Sequence, residues 1–352
     1  MLDTQKSNLS AVSEKYFLQS PQWAEFWLDA NLPGHHFYNL RSSNKLDEEI
    51  AVIIYQYPWH FGANFLYIPK GPFLEISDKI EKQALELLLE NLFTQILELA
   101  KKQGSSFIKW ELDDIVSQIL ELKTNSDFES YSSSLLKHQN RISEKKLQYL
   151  ETILVETKNL KYEADLRQFF EINTDFWTKV NKKTRYGTRK SLEQNWKIST
   201  EKTRVNFEIF WNLTQETALR QGFATQSKDY FQTLFTKDFS YLTILKKDNE
   251  PQAAWFGVKL GNSLIHLYGA NTQVSRENYG QYFAHLVALQ MSAKSSIAFY
   301  DLGGWDEVKG YGKFKEGYNG KIREFLGPVD IIIDKFSYNM INLATKIRKI
   351  AK

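Results

Sequence analysis

Asp301, Gly303, Gly304, Lys313 and Lys315 are the residues whose types and spacing could do chemistry in this chain. The apolar run Ile297-Ala298-Phe299-Tyr300 reads as a buried strand end that delivers Asp301 to a glycine pair. Glycines there permit a turn closed to other residues. A second glycine-rich segment, Gly310-Tyr311-Gly312-Lys313-Phe314-Lys315-Glu316-Gly317-Tyr318, reads as a loop that presents two lysines around an aromatic ring. Small residues, fixed cations and a flat ring suit an extended anionic substrate and a charge that develops during reaction.

Other segments carry weaker signals. His266-Leu267-Tyr268-Gly269-Ala270-Asn271 reads as a strand ending in Gly-Ala-Asn, with Tyr268 and Asn271 at the end where open sheets bind ligands. His266 lies two residues before Tyr268, so a regular strand puts both on one face, with His266 as packing. Arg185 and Arg189 share one face if their segment is helical; that face either binds phosphate or an RNA backbone or is simply solvated. Gly187 between them weakens the helix. Arg220-Gln221-Gly222 followed by Gln226-Ser227-Lys228-Asp229-Tyr230 reads as helix, glycine stop, N-cap and new helix. Tyr67-Ile68-Pro69-Lys70-Gly71-Pro72 reads as a strand closed by a hard turn. Arg276 to Gln281 opens a helix whose first N–H groups could bind an anion.

Composition narrows the classes. The chain has 352 residues, 42% hydrophobic and 14% aromatic, a length comfortable for two domains. With no cysteine, disulfides, thiolate metal sites and a cysteine nucleophile are excluded. The six histidines are scattered without metal-ligand spacing, and neither a nucleophile elbow nor a P-loop occurs, so no metal and no cofactor is expected. A net charge of +3 does not demand a nucleic-acid partner. Residues 1–15 lack the apolar core of a signal peptide, and no apolar run reaches the roughly 18 residues of a membrane span. The expected location is cytoplasmic.

The elements that must position these residues recur in two halves. Strands at 51–55 and 65–68, an amphipathic helix over 80–101 and a strand at 107–110 form the first; residues 124–148 read as irregular or weakly helical. A strand at 153–155, helices over 165–180, 205–221 and 227–235, strands at 241–245, 253–260 and 263–268, a helix over 279–293 and the strand before Asp301 form the second. The repeat is one of element order only, and the class is mixed α/β (α+β). A last strand at 329–333 precedes a basic amphipathic helix in which Ile341, Leu343, Ile347 and Ile350 stand among cations. Its apolar face either packs on the first half or makes a peripheral contact with the inner membrane surface.

In order, Phe17-Leu18-Gln19-Ser20 with Trp23, Tyr67 to Pro72, Arg185 to Arg189, Leu267 to Asn271, Tyr300 to Gly304 and Lys313 to Tyr318 resemble the Fem peptidyltransferases of peptidoglycan bridge synthesis. The resemblance covers most of the chain. It implies two tandem GNAT-like domains, mixed sheets flanked by helices, at 1–150 plus 328–352 and at 151–327. It implies an aminoacyltransferase with an aminoacyl-tRNA donor and a peptidoglycan-precursor acceptor, without the long helical arm of some members. By resemblance Phe314 and Lys315 are catalytic, with Lys315 stabilising the oxyanion or holding the tRNA end. Tyr268 and Tyr230 become substrate contacts, Asn271, Asp301, Gly303, Gly304 and Lys313 line the same site, and Glu111 partners the acceptor amine. Where members carry a phosphate-binding arginine this chain has Gln226, and Arg220 and Lys228 are the nearby cations that stand as its substitutes. Arg185 and Arg189 are the tRNA or phosphate contacts. Two other readings stay open: a coenzyme-A-dependent N-acyltransferase of the same fold, and a non-catalytic binder of precursor or RNA.

Overall fold

The computed structural model describes residues 17–30, 34–45, 48–59, 62–74, 80–122, 150–307 and 310–350. Its strands are β1 His36–Ser43, β2 Glu49–Pro58, β3 Asn64–Ile68, β4 Phe73–Leu74, β5 Phe107–Glu111, β6 Leu150–Glu156, β7 Lys197–Ser199, β8 Ser240–Lys247, β9 Glu250–Leu260, β10 Ser263–Asn271, β11 Phe299–Gly304, β12 Lys321–Phe325 and β13 Pro328–Ile332. The chain divides into two compact units, residues 1–150 with 325–352 and residues 151–324. The segment read as irregular at 124–148 lies outside the described residues.

The first unit holds a six-stranded sheet ordered β1-β2-β3-β5-β13, with β4 also on β2. β2 is buried on both faces. Ile50, Val52 and Ile54 meet the helix Lys82–Lys102 through its Leu85, Leu88, Leu92 and Ile96, and Trp110 stacks on Phe93 at 5.4 Å. On the opposite face of β2, Tyr55 lies edge-on to Trp27 of the helix Pro21–Asp29 at 5.2 Å. β3 and β5 are parallel, and the long helix is the crossover a parallel pair requires. The C-terminal helix Lys335–Ile350 belongs to this unit, with Tyr338 edge-on to Phe107 at 5.2 Å.

The second unit holds a seven-stranded sheet ordered β12-β6-β11-β10-β9-β8-β7. The expected hairpin at Gly261-Asn262 joins antiparallel β9 and β10. β10 and β11 are parallel, joined through the helix Gly280–Lys294, whose Phe283, Leu286, Val287 and Leu289 fill the core with Trp255 and Tyr300. The helices Arg204–Gln221 and Lys228–Thr236 cover the other face, where Phe210 and Phe231 meet Phe256 and Tyr268. The first of these ends at left-handed Gly222, and Ser227 caps the second by accepting from the Tyr230 N–H.

Three expectations change. The helix read over 165–180 is two helices, Leu166–Ile172 and Thr174–Lys179. Asn173 breaks it because its side chain holds the backbone of Lys161 through both N–H and C=O. The weakening expected at Gly187 does not interrupt its segment: Lys182–Leu192 is a continuous helix, and the Tyr282 ring occupies the space where a side chain at 187 would be. The glycine-rich segment with the two lysines is not a loop; Gly310–Glu316 is a short helix.

Candidate functional site

Both units place polar side chains just beyond the carboxyl end of a parallel strand pair, where α/β sheets take ligands. In the second unit, β10 and β11 pair only from Ser263 opposite Phe299 to Ile265 opposite Asp301. β11 then shifts register between Asp301 and Gly304. The glycine pair is therefore a bulge within the strand rather than a turn after it. Gly303 holds a positive φ of 75°, which explains glycine there.

The bulge closes around Asp301. Its carboxylate accepts from the Gly303 N–H at 2.7 Å and from the Thr152 hydroxyl. Lys315 donates to the Gly304 carbonyl at 2.6 Å, with its Nζ 5.1 Å from the Tyr311 ring centroid. Burial pulls the Lys315 ammonium down to about 8, against the opposing pull of Asp301. Burial pushes the Asp301 carboxyl up, opposed by Thr152, Gly303 and Lys315. The site thus offers a cation, half shielded from water, beside backbone N–H and C=O groups.

Phe314 turns inward. Its ring packs on Tyr282 at 5.1 Å, His285 at 5.3 Å and Tyr318 at 5.6 Å, so it anchors the short helix that carries Lys315. Gly312 in that helix is pressed against the Asp306 carbonyl, 2.0 Å from where a Cβ would stand. Lys313 is exposed.

His266 and Tyr268 do not share a face. His266 lies opposite Gly257 and Tyr268 opposite Phe256, so Leu267 is an inserted residue, and the bulge reverses the alternation. His266 stacks on Trp255 at 5.8 Å and lies edge-on to His285 at 5.1 Å. Burial and the nearby Lys315 charge lower its pKa to about 4. Behind it, Trp255 donates to the Tyr300 hydroxyl at 2.9 Å, and that hydroxyl lies 2.6 Å from His285 Nδ1. His285, Thr152 and the Gly304 carbonyl were not singled out from sequence; a histidine inside an apolar helix and a threonine in a strand give no signal alone.

Tyr268 faces the other side, edge-on to Phe231 at 4.8 Å, and its hydroxyl is hydrogen-bonded with that of Tyr230. Asn271 ends β10, with its Oδ1 accepting from Arg276 at 3.2 Å. Arg220 and Gln226 are exposed on either side of the Gly222 turn. Arg185 donates to the carbonyls of Trp177 at 3.1 Å and Thr178 at 3.3 Å, closing the end of the preceding helix, while Arg189 is exposed, 5.6 Å from the Tyr186 ring centroid. The structure therefore gathers Asp301, Gly303, Gly304 and Lys315 in one group, pairs Tyr230 with Tyr268 in another, and leaves the arginines on their own helices.

In the first unit the β3–β5 ladder ends at Ile68 opposite Trp110, and Glu111 follows directly. Glu111 is buried, accepts from the Tyr67 hydroxyl at 2.8 Å and lies 3.4 Å from Lys70 Nζ. Lys70 Nζ also sits 3.7 Å from the Phe325 ring centroid. Burial, reinforced by the Glu111 charge, raises the Tyr67 phenol well above its usual value. The segment read as a plain turn thus holds a buried ion pair. Replacing Glu111 by Gln keeps an acceptor for Tyr67 but leaves Lys70 without its carboxylate, and should cost about 2 kcal/mol in urea unfolding. Unchanged stability would mean that the pair contributes nothing to the fold.

Two mixed sheets, each with a parallel pair that parts around polar groups, define a tandem GNAT-like architecture. The FemAB family model matches residues 6–246 and 242–346, and the chain belongs to that family, whose members are transferases in peptidoglycan bridge synthesis. FemX matches with a TM-score of 0.65 at 15% identity, over 94% of this chain and 96% of FemX. The C-terminal domain of a putative lysylphosphatidylglycerol synthetase from Agrobacterium fabrum matches at 0.53 and 9% identity, over 92% and 88% of the two chains. A tandem GNAT protein from the clavulanic acid biosynthesis pathway matches at 0.52 and 8%, over 88% and 93%. No curated protein matches the sequence. Among the described residues, no helix is long and apolar enough to cross a membrane.

Proposed function

We propose that this chain moves an aminoacyl group from aminoacyl-tRNA to an amine on the peptide stem of a peptidoglycan precursor. The observation that supports it most is Lys315: a half-buried ammonium held against the Gly304 carbonyl, beside Asp301, where the parallel strands part. The donor ester is already activated, so the enzyme need only align the reactants and stabilise charge. The amine nitrogen bonds to the ester carbon while the carbonyl oxygen gathers negative charge next to Lys315. The carbon–oxygen bond to the ribose then breaks. The ribose oxygen takes up a proton equivalent to the one the amine gives up, and an amide is left on the precursor. Asp301 keeps Lys315 cationic against the effect of burial, and Phe314 seats the helix from which it reaches. Glu111 in the first unit has the charge to hold an acceptor amine.

The charge state of Lys315 sets the pH dependence. A lysine lowered to about 8 is protonated below that value and loses its charge as pH rises through it. If its cationic form stabilises the oxyanion, kcat/KM falls on the alkaline side with an apparent pKa near 8. Asp301→Asn removes the group that supports the charge and should move this limb to lower pH. A profile that stays flat or rises through that range, in wild type and variant alike, would remove protonated Lys315 from the acyl step. The proposal itself is tested by incubating the protein with charged tRNAs and precursors and detecting the precursor's mass increase.

A further inference from the structure

The C-terminal helix Lys335–Ile350 carries two apolar faces, and among the described residues only one of them is packed. Tyr338 and Ile341 are buried, packed with Phe107, Phe65 and Ile332 of the first unit. Phe336, Met340, Leu343 and Ile347 are 75%, 48%, 52% and 57% exposed. Their spacing of four, three and four residues puts them in a single narrow stripe, on the side of the helix away from Tyr338 and Ile341. Lys335 and Lys346 are exposed, and both fall along one flank of that stripe. From residue 335 onward the sequence carries Lys335, Lys346, Arg348, Lys349 and Lys352 and no acidic residue. Packing on the unit therefore accounts for Ile341 but not for Leu343 or Ile347, and the exposed stripe extends to Phe336 and Met340.

We infer that this helix is a docking surface for an anionic lipid bilayer, lying flat with its outer stripe among the acyl chains and its lysines at the headgroups. A stripe four side chains long and one side chain wide suits the headgroup–acyl boundary, where apolar insertion and electrostatic attraction act together. The all-basic charge of the segment supplies the complement to anionic headgroups. The inference rests on this surface alone and goes beyond the proposed transfer reaction, so it stands or falls without it.

The test is co-sedimentation of the full-length chain with vesicles of phosphatidylcholine, with or without phosphatidylglycerol, alongside its sedimentation coefficient without lipid. Binding is expected to vesicles containing phosphatidylglycerol. The variant F336S/L343S/I347S should lose at least about tenfold of that binding with its melting temperature unchanged, because those side chains touch solvent rather than core. Lys335→Gln and Lys346→Gln should each weaken binding to the anionic vesicles about fivefold, the equivalent of roughly 1 kcal/mol per surface charge, and so narrow the preference for the anionic lipid by the same factor. Absence of vesicle binding, or equal binding by wild type and triple variant, would overturn the assignment. So would a wild-type dimer, formed without lipid, that the triple variant abolishes, since the stripe would then belong to a second copy of the chain.

Discussion

Lys315→Ala should lower aminoacyl transfer by about 10²- to 10³-fold, the usual loss when one preorganised stabiliser of a developing oxyanion is removed. The fold should survive. Lys315 is held by one bond to the Gly304 carbonyl on a partly exposed surface, and Asp301 keeps the Thr152 hydroxyl and the Gly303 N–H as partners. Removing a cation that burial already disfavours therefore costs little, about 1 kcal/mol or less in urea unfolding. The informative combination is lost transfer with retained stability. Wild-type turnover in Lys315→Ala would sink the assignment. Loss of both turnover and stability would make Lys315 a structural residue.

Gln19→Ala should severely destabilise the first unit. Gln19 is fully buried, and its amide makes three bonds to backbone. It donates to the Ile53 carbonyl at 2.9 Å and the Pro69 carbonyl at 2.8 Å, and accepts from the Ile53 N–H at 2.8 Å. The pairings explain why. On one side, β2 is covered by β4 at Ile50 and Ala51 and by β3 from Tyr55 onward. Ile53 falls in the gap, and the Gln19 amide takes the place of a strand residue there. Alanine would leave three buried backbone groups without partners, at about 1–3 kcal/mol each before water or local relaxation recovers part of it. The expected loss is about 3–5 kcal/mol, a large share of the stability of an ordinary domain. A loss below about 1 kcal/mol would show that β2 satisfies Ile53 by another route.

Gln19 also shows where sequence reading stops. Phe17-Leu18-Gln19-Ser20 with Trp23 marks family resemblance, but nothing in those residues says that a side chain completes a sheet thirty-four positions away. The fold class was legible because it rests on periodicity. The long helix read over 80–101 is Lys82–Lys102, and the Ser227 cap and the hairpin at Gly261-Asn262 fall where turn chemistry puts them. β1 was missed because Phe37, Tyr38 and Leu40 alternate with neither period clearly; only its partner β2 makes it a strand. The site was legible in part. The glycines and lysines announced an anion-holding group, yet a bulge is a property of pairing, so Asp301 closing on Gly303 could not be read from spacing. The inserted Leu267 separates His266 from Tyr268 for the same reason. His285 and Thr152 come to the site only through tertiary contact.

The most direct measurement is a transfer assay on the full-length chain with a panel of charged tRNAs, lipid-linked and soluble peptidoglycan precursors and acetyl-CoA, read by mass spectrometry with and without RNase. A precursor heavier by one amino-acid residue, formed only with charged tRNA and abolished by RNase, is the predicted result. Acetyl transfer from acetyl-CoA that RNase leaves untouched, or tight binding of precursor with no transfer from any charged tRNA, would contradict it.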